Sequence, residues 1–227
     1  MNQLKYLIMI GLMMMKKENR VKIIENYLDY LFPDPKCELN YNTDYELLIA
    51  IVLSAQSTDK RVNSVMPILL EKYPNLDSLS KANLEDLEDI LRPIGSYHKK
   101  ALYVKEIAKL LCFKYDGRVP KSRKILESFP GVGRKTVNVF LSEFYNIPAI
   151  AVDTHVERVS KRLYLAKEKD SVIEVEEKLK RAFKREVWAK RHLQLVLFGR
   201  YYCKAVKPLC DNCKLKNICK KEKKLLK

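Results

Sequence analysis

Leu126-Glu127-Ser128-Phe129-Pro130-Gly131-Val132-Gly133-Arg134-Lys135-Thr136-Val137-Asn138-Val139-Phe140-Leu141 is the most informative stretch of this 227-residue chain. It reads as a helix that ends before Pro130, a tight turn through Gly131-Val132-Gly133, and a second helix that opens at Arg134. Two glycines two apart permit positive φ and a close approach of backbone to whatever lies beside them. The second helix begins with N–H groups that have no intrahelical acceptor, at the positive end of its dipole, an arrangement suited to a phosphate. The charged pair Arg134-Lys135 directly after the turn fits the same ligand. A plain turn between two packed helices uses similar residues, so the glycines alone do not decide between the two.

On either side of this hairpin, almost every periodic stretch reads as helix. Asn19 to Phe32 places Val21, Ile24, Leu28 and Leu31 three or four apart and stops at Pro33-Asp34-Pro35. Thr43 and Glu46 form a capping-box pattern ahead of Leu47 to Ala55, which is apolar on nearly all sides and reads as a buried helix. Further helices are expected over Thr58 to Tyr73, with Pro67 as a candidate kink, and over Asn83 to Leu91, His98 to Tyr115 and Ser122 to Phe129. Beyond the hairpin, Arg134 to Tyr145 and Thr154 to Leu165 follow. Ser171 and Glu174 make a second capping box for a helix running towards Trp188, and Ala189 to Tyr202 reads as the last long one. Strand-like alternation is absent, so the fold class is all-α.

Lys and Arg number 44 against 28 Asp and Glu, a formal charge of +16, which makes a polyanion the first partner to consider. The apolar segment Leu4 to Met15 is shorter than the roughly 20 residues a membrane-spanning helix needs. It is followed by Lys16 and Lys17 rather than a small-residue cleavage site, and reads as an N-terminal extension. The Lys-rich tail after Cys219 reads as a solvated end.

Of six cysteines, Cys37 and Cys112 are isolated and read as buried thiols, whereas Cys203-x6-Cys210-x2-Cys213-x5-Cys219 crowds four near the C-terminus. Four thiolates by themselves make structural Zn²⁺ the default reading ahead of an iron–sulfur cluster, and either points to a reducing cytoplasm. His98, His155 and His192 show no convergent pattern.

With these residues in view, the chain resembles the endonuclease III family of helix-hairpin-helix DNA glycosylases. Its hairpin departs from the family's pattern only in Phe129 for Leu and Val137 for Ala, and Val152-Asp153-Thr154-His155 matches unchanged. Glu46-Leu47-Leu48-Ile49-Ala50 and Leu53-Ser54-Ala55-Gln56 extend the resemblance, which runs from about Met15 onwards.

The resemblance implies a bifunctional glycosylase and abasic-site lyase that excises oxidised or ring-saturated pyrimidines from double-stranded damaged DNA. Lys135 is then the nucleophilic amine, with burial or the helix N-terminus expected to favour its neutral form, and Asp153 stabilises the cationic sugar. Asp153 also reads as a helix N-cap. Gln56 is expected to enter the duplex where the base leaves, with Gly131, Gly133, Arg134 and Lys207 on DNA. A second wedge, usually Leu, is replaced by Ser96, with Tyr97 or His98 as substitutes. The four clustered cysteines are expected to hold a [4Fe–4S] cluster, with Lys204 and Lys207 facing phosphate. The expected organisation is an extension and helix over 1–36 packing with a C-terminal domain over 148–227, around a six-helix domain over 37–147, with a DNA cleft between. A cytoplasmic, nucleoid-associated monomer without a membrane contact follows. Rival readings are a monofunctional mismatch-specific glycosylase and a non-catalytic hairpin that binds DNA.

Overall fold

The computed structural model describes residues 17–220, so the apolar extension through Met15 and the Lys-rich tail beyond Lys220 lie outside the described residues. The chain divides into two compact units, one formed by Cys37–Ile147 and the other by the segments before and after it. Every regular element among the described residues is helical, as expected. None of these helices is long and apolar enough to cross a membrane.

The continuous unit is built around α2 (Asp44–Ser54), after α1 (Lys17–Leu31) of the other unit. Every residue of α2 from Glu46 to Leu53 is buried. Four fully buried side chains here, Leu47, Leu48, Ile49 and Leu53, each contribute about 1.5–3 kcal/mol of transfer free energy. Thr43 caps the helix by accepting from Glu46 N at 3.4 Å. The capping box is not reciprocal, however: Glu46 Oε2 accepts from Asn42 N at 2.7 Å, one residue further back than the cap.

Around α2 come α3 (Asp59–Lys72), capped by Thr58, then α4 (Leu76–Ser80), α5 (Leu84–Leu91), α6 (Tyr97–Lys114), α7 (Arg123–Leu126) and α8 (Arg134–Tyr145). Pro67 lies inside α3 without ending it. The sequence pattern does not announce α4, whose single turn is too short for periodicity. It is held by a capping box in which Asn75 and Ser78 exchange side-chain bonds. The helix expected over Ser122 to Phe129 is regular only to Leu126. Ser128 N and Phe129 N continue with three-residue turns to Ile125 O and Leu126 O on the way to Pro130. Both α6 and α8 pack on α2.

In the other unit, α1 lies against α11 (Trp188–Leu197). Arg191, buried on α11, makes a bidentate pair with Asp29 at 2.8 and 2.9 Å. Gln194 donates to Phe32 O at 2.8 Å. Between them in sequence are α9 (Thr154–Arg162) and α10 (Val172–Ala182), the latter opened by a full Ser171–Glu174 capping box. α10 stops at Ala182 instead of running to Trp188, because Phe183 and Lys184 are extended. Trp188 belongs to the packed interior and donates Nε1 to Phe183 O at 3.0 Å. After Leu197 the backbone widens into a π-helical turn, Phe198–Tyr202. A Cβ on Gly199 would come 2.8 Å from that of His155, so glycine is what lets this turn close on the start of α9.

Candidate functional site

The hairpin of the continuous unit joins α7 to α8 through Gly131 and Gly133. Gly131 adopts φ +74°, and a Cβ there would lie 2.5 Å from Tyr103 Cδ2. Gly133, the N-cap of α8, has φ −106° and ψ −179°, so its conformation does not call for glycine. What Gly133 provides is open space, with nothing within 4 Å of a would-be Cβ. No side chain of the N-cap residue caps α8, and helix starts of this kind suit an anion. The two helices of the hairpin are tied by Arg123, which donates Nη2 to Asn138 Oδ1 at 2.5 Å.

Arg134 and Lys135 follow at the exposed start of α8. Of the two causes expected to favour a neutral amine, burial is not supplied by the protein by itself, since Lys135 is exposed.

Gln56 is also exposed and adopts φ +55° just past the end of α2. The loop at Gly95 approaches it, since a Cβ on Gly95 would lie 3.3 Å from Gln56 O. Ser96, at φ +59°, is the exposed N-cap of α6. His98 is tethered to Glu88 at 2.7 Å, and Tyr97 packs on the interior. Sequence reasoning missed Lys100, which is buried beneath this turn in what reads as an ordinary basic run.

In the other unit Asp153 is the N-cap of α9. Its Oδ1 accepts from His155 N at 2.9 Å and Val156 N at 2.8 Å. His192 is buried, with Nδ1 2.9 Å from Ala151 O, 41 positions earlier in the chain. The histidines therefore have separate structural partners.

Cys203, Cys210, Cys213 and Cys219 line one cavity of about 200 Å³ together with apolar side chains that include Leu163, Phe198 and Leu215. Arg162 Nη1 donates to Cys203 Sγ at 3.2 Å and to Lys204 O at 2.8 Å, and Arg158 Nε to Cys203 O at 3.1 Å. Burial pushes the Cys213 thiol up, and the other three cysteines add to this. Among the described residues, no three His, Cys, Asp or Glu side chains converge closely enough to hold a single metal ion. Four cysteines lining one cavity are the side chains here that could hold a thiolate-ligated metal centre. Lys204 and Lys207 are exposed on the intervening loop, Lys207 at φ +48°.

Cys37 and Cys112 pack against the interior of the continuous unit, away in the chain from this cavity, but both are half-buried rather than fully buried. Burial raises the Cys37 thiol to about 12.

Residues 49–185 match the HhH-GPD superfamily base excision DNA repair protein family. Endonuclease III of Bacillus subtilis (strain 168) is 44% identical over 207 residues, which are 90% of this chain and 94% of that protein. Endonuclease III of Synechocystis sp. (strain ATCC 27184 / PCC 6803 / Kazusa) is 37% identical over 207 residues, 91% of this chain and 94% of that one. A solved structure of a trapped endonuclease III–DNA covalent intermediate, an estranged-adenine complex, superposes with a TM-score of 0.88 at 44% identity and covers 92% of this chain and 99% of that chain. With near-complete coverage at this identity, the chain belongs to the endonuclease III family of the HhH-GPD superfamily of base excision DNA repair proteins.

Proposed function

We propose that this protein is a bifunctional DNA glycosylase and abasic-site lyase, acting on oxidised or ring-saturated pyrimidines in duplex DNA. The observation that carries the reading is the start of α8, where no side chain of the N-cap residue caps the helix and Lys135 stands exposed near Gly133, whose would-be Cβ meets nothing within 4 Å. The phosphate held there brings the adjacent sugar to the amine, and the DNA that covers the site removes the water that exposure leaves around Lys135.

The Lys135 Nζ lone pair attacks C1′ of the damaged nucleotide. The C1′–N bond breaks, its electron pair leaves with the base, and the base takes up a proton. Loss of the amine proton and opening of the sugar ring give an imine between Nζ and C1′. A C2′ proton is then removed, the C3′–O bond breaks and the 3′ phosphate leaves, before water releases the amine. Asp153 is assigned the stabilisation of positive charge at the sugar while the base departs. One Oδ1 shared by two amide donors holds that carboxylate in place. Gln56 fills the gap that the extruded base leaves, and Arg134 and Lys207 contact phosphate.

Cys203, Cys210, Cys213 and Cys219 are the residues that would hold a [4Fe–4S] cluster, which when bound supplies cross-linking of the four thiolates. Lys204 and Lys207 are then carried on a fixed loop that contacts the phosphate backbone. Thiolate ligation fits a reducing cytoplasm, with the enzyme on the nucleoid through DNA.

Borohydride trapping on an abasic or thymine-glycol duplex tests the reading. Wild type is expected to form a covalent adduct and nick the strand. Lys135→Gln should abolish both while leaving duplex affinity within about threefold, since the residues assigned to phosphate are unchanged. Trapping by Lys135→Gln at the wild-type rate would assign the chemistry to another amine. A wild type that cannot be trapped yet excises a mismatched base would make the enzyme monofunctional.

A further inference from the structure

Lys100 is only 5% exposed. Its Nζ donates to two backbone carbonyls, Leu53 O at 3.0 Å and Ala55 O at 2.5 Å. Burying an ammonium is costly, and burial lowers the Lys100 pKa accordingly. A bare structural role would be served as well by an apolar side chain of the same length. What the ammonium adds is specific: it satisfies carbonyls at the C-terminal, negative end of α2, where the helix has run out of N–H partners.

The chain leaves α2 at that point. Ala55 turns away at φ −58° and ψ 118°, Gln56 follows at φ +55°, and the Gly95 loop abuts Gln56 O. A non-glycine residue at positive φ is strained and persists only where its surroundings hold it. Lys100 is on the first turn of α6, three residues before Tyr103, and positions three apart share a helix face. The ring of Tyr103 underlies Gly131 of the hairpin. One face of α6 therefore supports the Gln56 turn with one side chain and the hairpin with the next.

We propose that Lys100 is a positioning residue that holds Gln56 in register with the hairpin by bonding the carbonyls of Leu53 and Ala55, and that it thereby sets the rate of base extrusion. The proposal rests on the glycosylase reading for its kinetic consequence, but not for its structural one.

Lys100→Met keeps most of the stem and removes the ammonium, and Lys100→Arg restores a cationic donor. Single-turnover excision of thymine glycol is measured in a fully paired duplex and in one where the lesion faces a one-nucleotide gap, so that unpairing costs less. Because extrusion from a paired stack costs a few kcal/mol, Lys100→Met should slow excision about tenfold on the paired duplex and less than about twofold on the gapped one. Lys100→Arg should recover part of the paired-duplex rate. Adding Lys100→Met to Gln56→Ala should slow excision no further, since both act through one side chain. Hydrogen exchange should quicken at the Gln56 and Ser57 amides in Lys100→Met and remain unchanged at Val132 in the hairpin. Equal slowing on both duplexes, or additivity with Gln56→Ala, would overturn the proposal. Should Lys100→Met fail to fold, Lys100→Gln takes its place in the same measurements. A wild type that excises nothing overturns the glycosylase reading instead, and exchange at Gln56 still decides whether Lys100 holds the turn.

Discussion

The turn of the hairpin rests on an aromatic ring: Gly131 stands so close to Tyr103 that a Cβ would come 2.5 Å from Cδ2. With φ at +74° the position is closed to side chains on conformational as well as steric grounds. Gly131→Ala should therefore destabilise the protein by about 2–4 kcal/mol and weaken duplex binding with it. Gly133→Ala has neither obstacle, and should change stability by less than about 0.5 kcal/mol while lowering affinity for DNA, because its methyl occupies the approach to the α8 N-terminus. Urea unfolding alongside duplex titration measures both; equal destabilisation by the two substitutions would contradict the distinction.

Asp153 has a structural duty that can be separated from its proposed chemistry. Asparagine retains a side-chain oxygen for His155 N and Val156 N, so Asp153→Asn should melt within a degree or two of wild type yet lose most base excision. Asp153→Ala should lose excision too, and in addition about 1 kcal/mol of stability with the cap. Thermal melts and single-turnover excision on the same preparations check this, and excision surviving in Asp153→Asn would remove the charge from the mechanism.

The Arg191 guanidinium beside Asp29 holds its carboxyl well below the usual carboxylate range. The unfolded chain, with an ordinary Asp pKa of about 3.9, then takes up this proton before the folded one does. Stability from the pair is present at neutral pH and is lost as pH falls below about 4. With the Asp29 side chain 38% exposed, solvent screening keeps the contribution to about 1 kcal/mol or less. Asp29→Asn should lower the melting temperature at pH 7 and flatten its fall between about pH 4 and 2. An unchanged acid slope in the variant would show that other carboxylates dominate.

Anaerobically purified protein should be brown and contain about four irons per chain. Cys210→Ser should lose most of that iron and expose residues 203–219 to proteolysis while the hairpin unit stays protected, as limited proteolysis with mass spectrometry would reveal. Colourless protein with stoichiometric zinc would replace the cluster by a mononuclear site.

Lys207 and Gln56 should fail differently. Replacing Lys207 by Ala removes one phosphate contact, so affinity for damaged and undamaged duplex should drop alike and the salt slope should decrease by about one. Gln56→Ala should instead slow turnover on paired damage and leave non-specific binding nearly intact. Titrations at several salt concentrations, set beside turnover, separate the two, and identical behaviour would merge the roles.

Some of this architecture is written locally. The caps Thr43, Thr58, Asn83, Ser171 and Asp153 all accept from amides two or three residues ahead, so a window of a few residues contains the whole interaction. The same holds for the hairpin, whose proline and glycines mark the turn, and for the spacing of the four cysteines. Where a helix is a single turn, as in α4, or where its end depends on Phe183 packing into the interior, no such window suffices. The Glu46 carboxylate shows the limit well, since its preference for Asn42 N over Thr43 N depends on the path by which the chain enters the helix.

The all-helical class, the hairpin with Lys135 at the head of its second helix, the capping of α9 by Asp153 and the crowding of four cysteines near the C-terminus were legible in the chain, because each rests on chemistry between near neighbours. Tertiary structure decided that Gly131 and not Gly133 is conformationally required, that Lys135 is exposed, and that Lys100 is buried. Lys100 meets its carbonyl partners 47 and 45 positions away, and no local pattern distinguishes a lysine that will find helix-end carbonyls from one that will face water. Desolvation depends on every element packed around a group, so it is fixed only when the chain has folded.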